Sequence, residues 1–177
     1  MEKFLQLLGP CNIDPEDLAD LRRALLLCER EKTRTRGRRC LERLAERGIP
    51  ALRPLAQAGL ASSSFWGGDL RGTLYWARLA VAQYPMSPAA VWCSTLLISV
   101  YRTLGMRRER FDAEQERFRI MRKIAFQSTL AGDRIYALSE LMKELQAREL
   151  HADAERCAEE LRDLIRIARP EFSAPPL

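Results

Sequence analysis

The stretch from Leu60 to Pro85, LASSSFWGGDLRGTLYWARLAVAQYP, decides how this chain is read. Leu60-Ala61 stand seven residues before Gly68-Asp69-Leu70, Ala80 follows, and Pro85 closes the run. That spacing joins two short antiparallel helices at a glycine turn and then stops the second, because proline cannot donate the next backbone hydrogen bond. A hairpin of this kind buries its apolar face only by stacking on others like it. Outward from the hairpin, apolar residues recur at helical rather than strand spacing almost everywhere, which predicts an all-α fold.

Nine helices are expected. The first, from about Glu2 to Leu8, should stop at Gly9-Pro10, and Asp14-Pro15-Glu16-Asp17 reads as the next start, with Asp14 as cap and acidic side chains at the positive dipole end. A third runs from about Thr35 to Arg47, ended by Gly48 with Pro50 beyond. The fourth starts near Pro50 and continues through Ser62-Ser63-Ser64 to Trp66. After the Gly67-Gly68-Asp69 turn, Leu70, Leu74, Ala77 and Val81 carry one apolar stripe to Tyr84-Pro85. Ser87-Pro88 open a sixth helix ending at Gly105, and a seventh spans about Arg107 to Ser128 with Phe111, Phe118, Met121 and Ala125 facing inward. Asp133 to Arg148 and His151 to Ala168 form the last pair. The Pro-rich tail of residues 169–177 is expected to be disordered.

Turns at Gly68, Gly105 and around Glu149 give periods of 37 and 44 residues, the range of stacked helical hairpins. Leu60-Ala61, Gly68-Asp69-Leu70, Thr73, Ala77, Ala80 and Pro85 together resemble the tetratricopeptide repeat, a family pattern of Leu-Gly, Gly-x-Tyr, small residue, aromatic, Ala and Pro. Leu97, Tyr101 and Gly105 match in the next unit, where Arg110 departs from the expected small residue. The last offers Leu138, Leu141, Leu145, Ala154, Ala158 and Leu161, with Glu149 in place of the turn glycine. The resemblance covers residues 54–168 and implies a short right-handed solenoid, preceded by a helical segment of residues 1–53 that does not fit the repeat, the whole forming one compact unit. It also implies a concave groove lined by Phe65 and Trp66, then Trp92, Ser99 and Arg102, then Tyr136, Ser139 and Lys143, which would hold an extended or helical peptide of acidic or apolar character. A plain antiparallel bundle would show similar leucine and alanine spacing.

Charge is the second signal. The chain carries a net +5, and residues 22–53 alone balance at +7, while residues 1–21 sum to −4 and residues 124–177 to −3. Arg30, Lys32, Arg34, Arg36, Arg38 and Arg39 form the centre of the basic segment. Such a run is a solvated face, a dock for an acidic protein, a partner of the acidic N-terminal segment, or a phosphate-neutralising surface for nucleic acid. It holds no aromatic residue on which bases would stack.

Reaction chemistry is missing from the sequence. His151 is the lone histidine, and there is no G-x-S-x-G, phosphate loop or dinucleotide fingerprint. The reading is therefore a noncatalytic adaptor or chaperone-like scaffold, with no cofactor and no metal, that captures a protein or peptide. The alternative is a nucleic-acid-associated or regulatory module using residues 22–53, and a homodimer is a third arrangement. Five widely spaced cysteines without a C-x-x-C pair suit a reducing cytoplasm. The most apolar run, Ala89 to Tyr101, is about half the length of a membrane span.

Overall fold

A computed structural model of the chain describes residues 13–168. Among them are eight α-helices, against the nine expected, and no strand: α1 (Pro15–Glu29), α2 (Arg34–Glu46), α3 (Leu52–Trp66), α4 (Leu70–Gln83), α5 (Pro88–Thr103), α6 (Arg107–Gln127), α7 (Ala131–Ala147) and α8 (His151–Ala168). A single 3-10 turn, Glu31–Thr33, links α1 to α2. The expected helix from Glu2 to Leu8 and the expected disordered tail of residues 169–177 lie outside the described residues. No described helix is long and apolar enough to cross a membrane.

The punctuation follows from local chemistry. Asp14 Oδ1 accepts from the Glu16 amide at 2.8 Å ahead of Pro15, Asp69 Oδ1 accepts from the Gly72 amide at 2.8 Å, and Ser87 Oγ accepts from the Ala90 amide at 3.3 Å. Gly48, Gly68 and Gly105 terminate helices at φ of 76°, 75° and 69°, a region open to glycine without strain. Glu149 takes the same role between α7 and α8 at φ 61°, at a steric cost of roughly 1 kcal/mol for a residue with a Cβ.

The contacts divide the chain into two units, one reaching Arg117 and one beginning at Phe118, so the boundary falls inside α6. In the first unit α3 is central: every residue from Pro54 to Ser64 is buried, and α1, α2, α4 and α5 all pack on it. Adjacent helices run antiparallel. Arg47 of α2 reaches Asp17 and Asp20 of α1, Arg53 of α3 donates to the Ala45 carbonyl of α2, and Gln57 of α3 donates to Gln83 of α4. Helices α1, α3 and α5 run parallel because each is antiparallel to the helix between them, and Trp92 of α5 donates to Ser62 of α3. Helices α1 and α2 touch α3 just as α3 and α4 touch α5.

Close approach depends on small residues in this sequence. A Cβ on Gly59 would come within 2.8 Å of Leu25 Cδ2 and 3.1 Å of Leu41 Cδ1, so this glycine lets α1 and α2 both reach α3. At Gly37 an added Cβ would meet Cys28 Sγ at 2.6 Å and the Ala24 carbonyl oxygen at 2.8 Å.

In the second unit, Ile120, Met121, Ile124 and Ala125 of α6 are buried, as are Ala137, Leu138, Leu141 and Leu145 of α7 and Ala154 and Cys157 of α8. Helices α7 and α8 pair antiparallel, with Arg134 bonded to Glu160 and, through Nε at 3.0 Å, to the Ala125 carbonyl. Of the four α6 residues expected inward, Met121 and Ala125 are buried and Phe118 is half-buried with the Arg148 guanidinium 4.9 Å from its ring centre. Phe111 is a correction: it is 57% exposed, because the stripe of Ile120, Met121 and Ile124 lies on a different side of the helix.

Alanine in place of a mid-helix glycine ordinarily stabilises by about 1 kcal/mol. At position 37 the incoming methyl meets backbone on α1, so Gly37→Ala should instead destabilise the chain by about 1–3 kcal/mol in a urea titration.

Candidate partner-binding surface

The turn between α3 and α4 collects side chains from three helices. Trp66 ends α3 and is 61% exposed, with Phe65 half-buried against it edge-to-face at 5.6 Å between ring centres. Arg34, the first residue of α2, lies beside this turn: its Nε donates to the Cys28 carbonyl of α1 at 3.3 Å, and its Nη1 stands 3.5 Å from the point where a Gly67 Cβ would be. The same point is 3.2 Å from the Ser63 carbonyl oxygen. The guanidinium thus serves the carbonyl end of α1, where the helix dipole favours a cation, and lies near the end of α3. Arg38, one turn on, pairs with Asp69 at 3.6 Å, and Asp69 also caps α4.

The basic segment therefore divides in two. Arg34 and Arg38 are half-buried and hold the α3–α4 turn against α2, while Arg30, Lys32, Arg36 and Arg39 are exposed. Arg47, outside the run of Arg30 to Arg39, is the residue that pairs with α1, at 3.0 Å from Asp17 and 3.3 Å from Asp20.

The residues assigned to a groove have different environments. Trp92 is half-buried on α5, and its Nε1 donates at 2.8 Å to Ser62 Oγ in the buried face of α3. Ser99 Oγ donates to the Thr95 carbonyl of its own helix at 3.0 Å, and Arg102 is exposed near the end of α5. Tyr136, Ser139 and Lys143 belong to the second unit. There Tyr136 is half-buried, Ser139 Oγ donates to the Ile135 carbonyl at 2.8 Å, and exposed Lys143 pairs with Glu140 at 2.7 Å. Trp66 and Arg102 are the members that combine exposure with a large or charged side chain in the first unit.

Two features were not read from the sequence. Tyr75 is 59% exposed on α4, edge-to-face with Trp76 at 5.0 Å, between exposed Arg71 and Arg78. The spacing 71, 75, 78 on one helix face was the available signal. Arg78 also donates to the Tyr101 hydroxyl at 2.8 Å, fastening α4 to α5. The second feature is a polar seam inside α3. Ser62 Oγ both receives the Trp92 bond and donates to the Ala58 carbonyl, whereas Ser64 Oγ and Gln57 Oε1 are buried without a hydrogen-bond partner. Ser63 Oγ lies against the Cys28 thiol. The Ser62-Ser63-Ser64 run marked this seam.

Among the described residues no group of three or more His, Cys, Asp or Glu is placed to hold a metal ion. Burial pushes the Cys93 thiol far above its ordinary pKa and raises the thiols of Cys28 and Cys157 and the Asp133 carboxyl, all of which favours their neutral forms. No family model, curated protein or solved structure matches this chain.

Arg34 and Arg36 are two residues apart and chemically identical, yet only the first bonds to neighbouring backbone. Arg34→Gln should cost about 1–2 kcal/mol of unfolding free energy, and Arg36→Gln should stay within about 0.5 kcal/mol of the parent, both read by urea denaturation.

Proposed function

We propose that this chain is a noncatalytic protein-binding scaffold, an adaptor or chaperone-like module in which tetratricopeptide-like helical hairpins present a surface to a segment of a partner protein. The observation that carries the reading is the exposure of Trp66 and Tyr75, flanked by Arg71 and Arg78. Tryptophan, tyrosine and arginine are the side chains that most often dominate binding energy at protein interfaces. The repeated relation of α1 and α2 to α3, and of α3 and α4 to α5, supports stacking of like hairpins. Partner residues of acidic or apolar character suit Arg102 and the excess positive charge of the chain. A cytoplasmic setting belongs to the same reading, and the four described cysteines are free thiols.

Capture by tagged protein and identification by mass spectrometry test it. Trp66→Ser with Arg102→Glu should reduce retention of the principal partner at least tenfold, with circular dichroism and melting temperature unchanged. Undiminished retention by that variant would remove the surface from the account.

Nucleic-acid association is the second reading, favoured by exposed Arg30, Lys32, Arg36 and Arg39 on α2 and the turn before it. If these four neutralise phosphates, binding to generic duplex DNA should weaken with a log–log salt slope of about −3 to −4. A flat slope, or no binding at low salt, would retire this reading.

A further inference from the structure

Two thiols lie close together where α1 crosses α2, and nothing in the scaffold reading uses them. Cys28 is buried near the end of α1 and Cys40 is half-buried on α2. Cys28 Sγ sits 2.6 Å from the position a Gly37 Cβ would take. Position 40 is the next on that side of α2, because residues three apart on a helix have Cβ atoms about 5–6 Å apart. The sulfur of Cys28 is therefore placed over the turn of α2 that carries Cys40, and the glycine between them is what lets α1 come so near. Cys40 is near enough to Cys28 that a negative charge there adds to the rise that burial causes in the Cys28 thiol.

Their surroundings give them different parts in an oxidation. Cys40 is the accessible thiol, and exposed Arg36 and Arg43 stand one turn to either side of it on α2. Cationic neighbours and access to solvent are what favour attack by a thiolate. Cys28 is shielded from solvent and meets the reagent only through Cys40. The other described cysteines, Cys93 and Cys157, are both buried.

We propose that Cys28 and Cys40 are a peroxide-reactive pair that closes to a disulfide, covalently joining α1 to α2. The Cys40 thiolate attacks one oxygen of hydrogen peroxide, the O–O bond breaks, and hydroxide leaves and takes up the proton given up by Cys40, forming water and a sulfenic acid on Cys40. The Cys28 sulfur then attacks the Cys40 sulfur as the S–O bond breaks. Hydroxide departs with the proton from Cys28 as a second water. Two thiols lose two electrons in total, and one peroxide is reduced to two waters. The bond would lie beside the Cys28 carbonyl that holds Arg34, so it ties the α1–α2 hairpin at the point where α2 meets the α3–α4 turn. This inference does not depend on the scaffold reading.

Tryptic mapping of the native chain after brief treatment with a small excess of hydrogen peroxide tests the pair directly. Cleavage at Arg23, Arg30, Arg39 and Arg43 releases Cys28 in the peptide of residues 24–30 and Cys40 in the peptide of residues 40–43. The expected result is a linked pair of these peptides in the monomer band of a non-reducing gel, accounting for most of the oxidised chain, dissolved by dithiothreitol and absent from Cys40→Ser. Oxidised protein should also melt at a higher temperature than reduced protein. Cys40 oxidised to sulfinic acid while Cys28 stays a thiol would overturn the proposal. So would a bond from Cys40 to Cys11, or a disulfide dimer through Cys40.

Discussion

Complete burial of one helix is the constraint on which the first unit rests. An α-helix flanked on one side only needs a stripe of apolar residues, but α3 is enclosed by four others from Pro54 to Ser64, and no side of that stretch can carry a charge. The sequence meets that demand with alanine, glycine and serine rather than with leucine all round. Small side chains bring the neighbouring backbones close, and the leucines that fill the space come from α1 and α2 as much as from α3 itself: Leu21, Leu25 and Leu41 are fully buried. Removing the small residues would push the enclosing helices outward, and the α3–α4 turn with its exposed tryptophan would move with them.

Polar groups inside that packing act as fasteners. The Trp92 indole gives α5 a fixed height against α3 through Ser62, and Gln57 Nε2 of α3 donates to Gln83 Oε1 of α4. Arg34 does the corresponding work at the carbonyl end of α1, with Arg38 and Asp69 joining α2 to the α3–α4 turn. Buried polar groups cost free energy unless they are bonded, so each of these contacts penalises alternative registers more than it strengthens the native one. A segment that looks like one uniform basic run is in this way split between internal structure and solvent. Only its solvent half remains for a partner.

Helix identity was readable because the punctuation is local. Asp14, Asp69, Ser87 and the glycines at 48, 68 and 105 act through hydrogen bonds and backbone angles within a few residues of themselves, and the helices begin and end beside them. Extension of α3 through three serines to Trp66 was expected, although a serine run by itself suits helix and loop alike. The environment of single side chains was not. Trp92 and Trp66 are both tryptophans on helices expected to line one groove, yet one donates into the α3 interior and the other stands in water, a difference set by which neighbour each meets across a helix pair. Phe111 faced outward for the same reason. Tyr75 lies in the stretch that decides the fold, but its exposure depends on which neighbours α4 meets, and even Arg78 on the same side reaches across to Tyr101 of α5. The contact of α1 and α2 with α3 was also not legible, because residues 1–53 carry no spacing that says which helix they pack on.

Native-state hydrogen exchange tests the central claim most directly. If α3 is the helix that α1, α2, α4 and α5 enclose, its amides from Leu55 to Ser64 should exchange only through global unfolding, with protection equal to the full unfolding free energy and above that of those four helices. Exchange of those amides at lower free energy than those of α1 or α4 would contradict the account, since a helix that opens while its neighbours remain folded cannot be what holds them together.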